Sequence, residues 1–499
     1  MIAGWDSVAD VVVVGYGCAG AVTAITAREE GADVLVIEKQ PENSHCTSSA
    51  MSGGHLLSPT DEKGVLKYLA ALSRIPIGLT WTEDDISRVW ARYAVKNKAW
   101  LEAHGGKVVK VPGAGEHPMI PGYDTLTRYH FMGNGLGLQR CLDKNIKSNK
   151  ISVSYNTRAK RLLTDDKGQI IGVEVEIDTD KGEKTVRIGA SKGVVLTCGG
   201  FEFDERMKLN YLPVHPTYFT GHPSATGDGI RMALRVGADL WHMNCLAARL
   251  VVKLPGFPIA FSVSLDGTTV RGRPSVSETE PEKYPGYVIV DRDGKRFTNE
   301  RFKTHCVYYE TTFFDTQRML YPRVPSYWIF DRRRIELDSL ISLRAGAAGP
   351  CRLYEWSRDN SNELEKGWIF AASSIAELAG KLNLPPDNLV KTINTYNKYC
   401  DKGKDPDFSR SSESLIPLDA PPFFAISLWP GGPNTQGGPR RNSRSQVLNV
   451  DGEPIPGLYS AGEMGSIFGM LYPSAGGNLA ECIAMGRLAG ENVAHERQR

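Results

Sequence analysis

The sequence carries almost no surplus of charge: 59 basic against 57 acidic residues leave a formal +2 over 499 residues. That balance excludes a protein built to wrap nucleic acid or to coat an anionic membrane. The short run Arg332-Arg333-Arg334 reads as solvated surface. Cysteine is sparse and unpatterned, with nine residues and no pair at C-x-x-C spacing. A disulfide framework and a cysteine metal site are therefore not expected, and a reducing compartment fits. No metal is expected. The first apolar run, Val11 to Val14, is of strand length and follows no basic segment. Neither a signal peptide nor stable membrane insertion is expected, and the expected location is cytoplasmic. Internal repeats and low-complexity tracts are absent too.

What is present is glycine, 51 residues of it, with 41% hydrophobic and 23% charged residues. This is the composition of a glycine-rich α/β protein, long enough for two or three units around large cores. Asp10 to Val14 is a continuous β-branched run, as in a strand buried on both faces of a parallel sheet. A glycine cluster follows, then a helix-compatible stretch to about Glu30 and a second apolar strand, Asp33 to Ile37. That makes one βαβ unit. Strand-like segments flank Asp166-Lys167-Gly168, and Gly193 to Cys198 predicts another buried strand running into Gly199-Gly200. Gly227-Asp228-Gly229 opens a helical stretch to Val236, and Gly457 to Gly462 predicts a strand before a last helix over 478–496. From about 240 to 425 aromatics, prolines and arginines rise and the βαβ rhythm stops, which marks a second unit.

The strongest motif is Gly15-x-Gly17-x-x-Gly20 with Glu38 eighteen residues beyond the last glycine. Gly15 permits the tight turn, Gly17 admits a pyrophosphate to the backbone, and Gly20 lets helix and strand pack closely. Cys18 and Ala19 open the helix, whose free N–H groups and dipole favour phosphate. Glu38, with Lys39 beside it, can accept the ribose hydroxyls and disfavours a 2′-phosphate. A strand before, a helix after and an acid at this distance identify a dinucleotide site, without saying which dinucleotide.

The C-terminal motifs bring in a resemblance. Gly457-Leu-Tyr-Ser-Ala-Gly462-Glu463 followed by Gly476-Gly477-Asn478-Leu479 resembles the closing segment of the fumarate reductase and succinate dehydrogenase flavoprotein superfamily. Gly193 to Phe201, Gly227-Asp228-Gly229 and Gly294 to Glu300 match it in order and spacing. The resemblance implies FAD and an α/β fold. Residues 1–245 and 425–499 would form a discontinuous Rossmann-like FAD-binding domain, and 246–424 an α+β capping domain, with the active site where they meet. It also implies cofactor contacts at Gly200, Asp228, Gly462, Glu463, Gly477, Asn478 and Leu479. Glu463 would lie by the ribityl chain and the N-terminus of the last helix by the pyrimidine edge of the flavin. Covalent-flavin members place a histidine before a Gly-Gly pair, but His45 stands further from Gly53-Gly54 than theirs. Non-covalent FAD is expected, with Thr47, Ser48 and Ser49 donating to the pyrophosphate.

At the substrate end the chain departs from the dicarboxylate enzymes. Where those carry a histidine and two arginines, it has Asn434, Ser474 and Thr304. Two carboxylates need charge-assisted partners, so fumarate and succinate are poor candidates. Tyr472-Pro-Ser474-Ala-Gly476 instead resembles the 3-ketosteroid dehydrogenase branch, where tyrosine hydroxyl and glycine N–H grip a ketone oxygen. Dehydrogenating the carbons α and β to a ketone builds charge on that oxygen, and two neutral donors there form an oxyanion hole. For the α proton the candidates are His305, then Tyr308 and Tyr309. Tyr123, Tyr129 and His130 could line the pocket, and Asn434, Ser474 and Thr304 would face substrate.

The expected activity is therefore FAD-dependent interconversion of a cyclic ketone and its unsaturated form, coupled to a quinone-like or other electron partner. Direction, substrate and oligomeric state are not legible. A flavin hydroxylase, a reductase of another unsaturated acid and a non-catalytic flavin electron carrier are the alternatives. No second G-x-G-x-x-G in a βαβ setting supports tight NAD(P)H binding.

Overall fold

The computed structural model describes residues 4–74, 78, 80–112, 116–179, 182–265, 285–301 and 305–498. The chain divides into two compact units, the first comprising Met1–Leu212, Gly221–Ala247 and Asn434–Arg499. The second comprises Pro213–Thr220 and Ala248–Pro433.

The first unit is organised by an eight-stranded sheet. Strand β1 (Ser7–Val14) lies at its centre, and helix α1 (Cys18–Glu29) connects it to β2 (Val34–Ile37). Further strands are β3 (Ser152–Ser154), β4 (Thr157–Thr164), β5 (Ile170–Thr179), β6 (Gly182–Leu196), β7 (Gln446–Leu448) and β8 (Pro454–Ser460). Their order is β7-β8-β6-β1-β2-β3, with β4 and β5 attached through β6. Pairing is parallel from β8 through β3, so Val11 to Val14 are enclosed on both faces, as their unbroken β-branched run predicts. The expected strand at Gly193 to Cys198 is the end of the much longer β6, whose earlier half pairs antiparallel with β5.

The last helix, α4 (Gly477–Ala494), is preceded in the chain by the short α2 (Ser48–Met51) and by α3 (Asp228–Arg235). α4 is buried nearly all round, which explains why its sequence lacks a polar stripe. It crosses α1 at close range: a Cβ on Gly490 would stand 2.7 Å from Thr23 O and one on Gly486 3.0 Å from Ala19 O. First and last segments of the chain thus share one core.

The second unit is a mixed sheet running Phe261–Ser262, Arg249–Val252, Phe423–Gly432, Ser326–Asp331, Tyr287–Val290. Helix Pro386–Lys402 lays Leu389, Ile393 and Tyr396 into its core. Residues 425–433, placed with the first domain by the sequence, belong here because strand Phe423–Gly432 pairs with neighbours on both sides. Pro213–Thr220 joins this unit because Tyr218 and Phe219 pair with Gly431 and Gly432. Among the described residues no helix is long and apolar enough to cross a membrane, and no cluster of three or more metal-ligating side chains occurs.

Candidate cofactor cleft and active site

A cleft of about 880 Å³ opens at the carboxyl end of β1, lined by Gly15, Gly17, Glu38, Ser49, Glu463 and Cys482 among others. Gly15 has φ +101°, and a Cβ there would stand 2.8 Å from Thr197 O; one on Gly20 would stand 2.0 Å from Gly15 O. Protein atoms therefore dictate glycine at both positions. Gly17 differs, because its Cβ would meet nothing nearer than Ser49 Oγ at 3.8 Å. The space beside Gly17 is open to the cleft. The first turn of α1 has no capping side chain and no acid, which suits a phosphate. Ser49 Oγ accepts Cys18 N–H (3.3 Å) and Ser48 Oγ accepts His222 N–H (3.0 Å), so each hydroxyl proton can face an anion. Thr47 does not join them: its hydroxyl caps α2 at Ala50 N–H (3.0 Å) and donates to Gln139 (3.2 Å).

Glu38 is buried, and its two carboxylate oxygens accept Tyr16 N–H and Gln40 N–H, each at 2.9 Å. These bonds aim the carboxylate while leaving lone pairs for ribose hydroxyls. Lys39 is committed elsewhere, to Thr226 (2.8 Å) and Asp228 (2.9 Å). Burial opposes ionisation of Asp228, but Lys39 and Arg158 hold it down to about 2. Lys39 and Asp228 thus brace the cleft wall as an ion pair. His45 stacks on Tyr16 at 5.1 Å, with Nε2 3.9 Å from Glu38. Gly54, Gly200 and Gly462 are explained by protein neighbours: a Cβ would meet Asn134 C at 2.5 Å, Thr435 Oγ1 at 2.0 Å and Ala19 Cβ at 2.7 Å respectively. Gly53 precedes the first of these.

Further along, Glu463 lines the cleft beside two buried carboxyls, Glu481, which belongs to the same C-terminal motif, and Glu202, which no motif marks. Glu202 accepts both Thr435 N–H (2.6 Å) and Thr435 Oγ1–H (2.8 Å). Arg441 and Glu481 form an ion pair with both side chains fully buried. Burial, then Glu202 and Glu481, push Glu463 well above the usual carboxyl range, while burial pushes Glu481 up to about 7 against the pull of Arg441.

α4 begins where Gly476 takes φ +99°; a Cβ there would stand 2.7 Å from His55 C and Leu56 N. Asn478 N–H donates to Tyr472 Oη at 2.9 Å, which seats the buried phenol on the helix N-terminus. Tyr68 Oη–H donates to Pro473 O (2.8 Å), and His117 Nε2 lies 3.1 Å from Tyr472 O, fixing this loop. Ser474 is fully buried and its carbonyl accepts Gly477 N–H at 3.0 Å, so it shapes the turn into α4. Leu479 is buried on the next step. Asn434, expected at the substrate, is engaged on both sides of its amide by Thr435 O and Asn478. Tyr123 sits half-buried in a 3₁₀ turn, Tyr129 on strand Arg128–Phe131, and His130 Nε2 is 2.7 Å from Asn134 Oδ1.

In the second unit, Arg249 Nε donates to His305 Nε2 at 3.0 Å. An arginine only donates, so that nitrogen's lone pair is taken and neutral His305 carries its proton on Nδ1. Tyr308 is fully buried and Tyr309 half-buried, their rings edge-on at 5.2 Å on the short helix Val307–Glu310. Thr304 lies outside the described residues. Arg249 is half-buried and has no ion pair among the described residues; only its distance from any sequence motif hid it.

The chain matches the FAD binding domain family over residues 10–479. It is 31% identical over 365 residues to 4-oxocyclohexanecarboxylate 2-dehydrogenase of Sinomonas cyclohexanicum, a match covering 68% of this chain and 58% of that protein. Against 3-oxosteroid 1-dehydrogenase of Mycobacterium tuberculosis it is 27% identical over 588 residues, covering 98% of each. In structure it is similar to 3-ketosteroid delta1-dehydrogenase of Sterolibacterium denitrificans, with TM-score 0.82 and 20% identity, covering 98% of this chain and 99% of that one. That likeness is one of fold. The open side of Gly17, the uncapped α1 and the aimed Glu38 suit the dinucleotide this family binds. The chain belongs to the FAD binding domain family and is an FAD-dependent dehydrogenase or reductase acting on CH–CH bonds.

Proposed function

We propose that the enzyme interconverts a cyclic ketone and its α,β-unsaturated form. The observation that carries this reading is the Tyr472 phenol seated on the N-terminus of α4 by Asn478 N–H. FAD, when bound, takes up or returns the hydride of the β carbon. Tyr472 donates its hydroxyl proton to the ketone oxygen, and Gly476 N–H supplies the second donor. Accepting an N–H polarises the phenol O–H, and the positive end of α4 favours the charge that builds on the oxygen. Neither donor is a cation, which suits a ketone and not a pair of carboxylates.

The α proton is assigned to the run His305 to Tyr309. With Nε2 held by Arg249, His305 acts as base only by giving up that bond, so Tyr308 and Tyr309 gain weight. His305→Asn, Tyr308→Phe and Tyr309→Phe rank the three by their effect on substrate-to-solvent deuterium exchange. Relatives that act on 4-oxocyclohexanecarboxylate and 3-oxosteroids bracket the substrate size. Arg249, a half-buried residue without an ion pair among the described residues, favours a ring ketone bearing a carboxylate.

FAD is held without a covalent bond, because His45 is stacked against Tyr16 beside Glu38. Denaturation should release all the flavin into solution. A quinone-like acceptor or another redox partner completes the cycle. Tyr472→Phe tests the central step: loss of one oxyanion donor should lower kcat by about 10²-fold, with KM little changed. Unchanged turnover would remove Tyr472 from the mechanism.

A further inference from the structure

All nine cysteines are free thiols, and three of them, Cys18, Cys198 and Cys482, stand on the wall of the cofactor cleft. Cys198 turns its thiol to Val14 O at 3.3 Å. Cys18 and Cys482 turn theirs to each other and share a hydrogen bond. Cys18 opens α1 and Cys482 lies in the second turn of α4, so the pair joins the first helix of the chain to the last.

The backbones around this pair are held together. One turn after Cys482, Gly486 passes so close to α1 that a Cβ on it would stand 3.0 Å from Ala19 O. A Cβ on Gly462 would stand 2.7 Å from Ala19 Cβ and 3.4 Å from Cys482 Sγ, which puts that sulfur beside the neighbour of Cys18. Two sulfurs already in contact on helices packed this tightly need little movement to reach bonding distance. Buried thiols commonly serve as small packing groups. These two differ because both line an open cleft, although only 1% of Cys18 and 4% of Cys482 is exposed. A molecule the size of hydrogen peroxide reaches such a wall, and a bulky disulfide oxidant does not. The hydrogen bond with Cys18, then burial, push the Cys482 thiol well above its usual range, with Glu463 and Glu481 adding to the effect. Cys482 therefore keeps its proton, and Cys18 is the sulfur that meets the oxidant first.

We propose that Cys18 and Cys482 are a peroxide-sensitive pair: in the empty cleft they close to a disulfide, and bound FAD shields them. The Cys18 sulfur attacks one oxygen of hydrogen peroxide, the O–O bond breaks, and water leaves Cys18 as a sulfenic acid. The Cys482 sulfur then attacks the Cys18 sulfur, the S–O bond breaks and a second water leaves. Together the thiols give up two electrons and two protons, and the peroxide is reduced to water. The inference rests on FAD occupying this cleft and not on the ketone reading, so either can fail alone.

Apoprotein is treated with hydrogen peroxide, blocked with N-ethylmaleimide and run on a nonreducing denaturing gel. The disulfide would close almost the whole chain into one loop, so the oxidised chain should migrate faster, and dithiothreitol should reverse the shift. Peptide mass spectrometry should find positions 18 and 482 in one cross-linked species. Cys482→Ala should lose the fast band, and Cys198→Ala should keep it. FAD at about ten times its Kd should slow the cross-linking about tenfold, in step with the fraction of cleft left empty. Wild type that never cross-links, or that stops at a sulfinic acid on Cys18, would overturn the proposal. So would cross-linking at an unchanged rate while quenched flavin fluorescence shows the cofactor bound.

Discussion

A buried carboxyl without enough cations must hold its proton or destabilise the fold, and here two such groups, Glu202 and Glu481, cluster with the half-buried Glu463. Arg441 is the cation ion-paired there, bound to Glu481, while Glu202 relies on Thr435. The raised value of Glu481, about 7 against an ordinary 4.5, means that the folded state binds a proton the unfolded chain has released. Its contribution is therefore present below about 4.5 and lost as pH rises through about 7. Glu463 shifts in the same direction. Thermal melts of the apoprotein should show Tm falling across that window, and Glu481→Gln should flatten the fall; identical pH slopes in both proteins would contradict it. Glu463 was legible from its motif, but the partners of Glu202 and Glu481 were not. Glu202 meets Thr435 across 233 positions and Arg441 meets Glu481 across 40, and nothing local marks either pair. Lys39 shows the converse: beside Glu38 it reads as a cofactor residue, yet its partner Asp228 lies 189 positions away.

The turn from β1 into α1 separates glycines needed by the fold from the one needed by the ligand. Gly20→Ala would force a Cβ into Gly15 O and should disrupt folding, whereas Gly17→Ala fits among the protein atoms. Gly17→Ala should thus keep the apoprotein's Tm and weaken FAD binding by about 10-fold or more, as read by fluorescence titration. Equal FAD affinity would mean the pyrophosphate lies elsewhere. This element was legible because its residue types are set by backbone geometry within one βαβ unit. α4 was legible as a helix but not as a wall of the cofactor site beyond its first residues. Its even burial removes the periodic stripe, and its closest approach, Gly490 on Thr23, joins opposite ends of the chain. The boundary expected between residues 424 and 425 cuts strand Phe423–Gly432, because Pro421-Pro422 looks like a boundary while the strand's pairing partners come from two distant segments.

At the scale of the whole molecule, segments from both ends of the chain line the cleft, and Arg249, in the second unit, has no carboxylate partner among the described residues. If Arg249 receives a substrate carboxylate, Arg249→Leu should raise KM for 4-oxocyclohexanecarboxylate at least tenfold more than KM for cyclohexanone. Equal effects on both ketones would assign Arg249 to the protein's own packing around His305.

The most direct measurement is an anaerobic flavin titration of the holoprotein. Oxidised enzyme should bleach with a saturated ring ketone, or photoreduced enzyme should regain colour with the matching enone, and in either direction Tyr472→Phe should slow the change about 10²-fold. Bleaching by succinate or recolouring by fumarate, with no response to any ketone or enone, would contradict the assignment of a neutral ketone-gripping site.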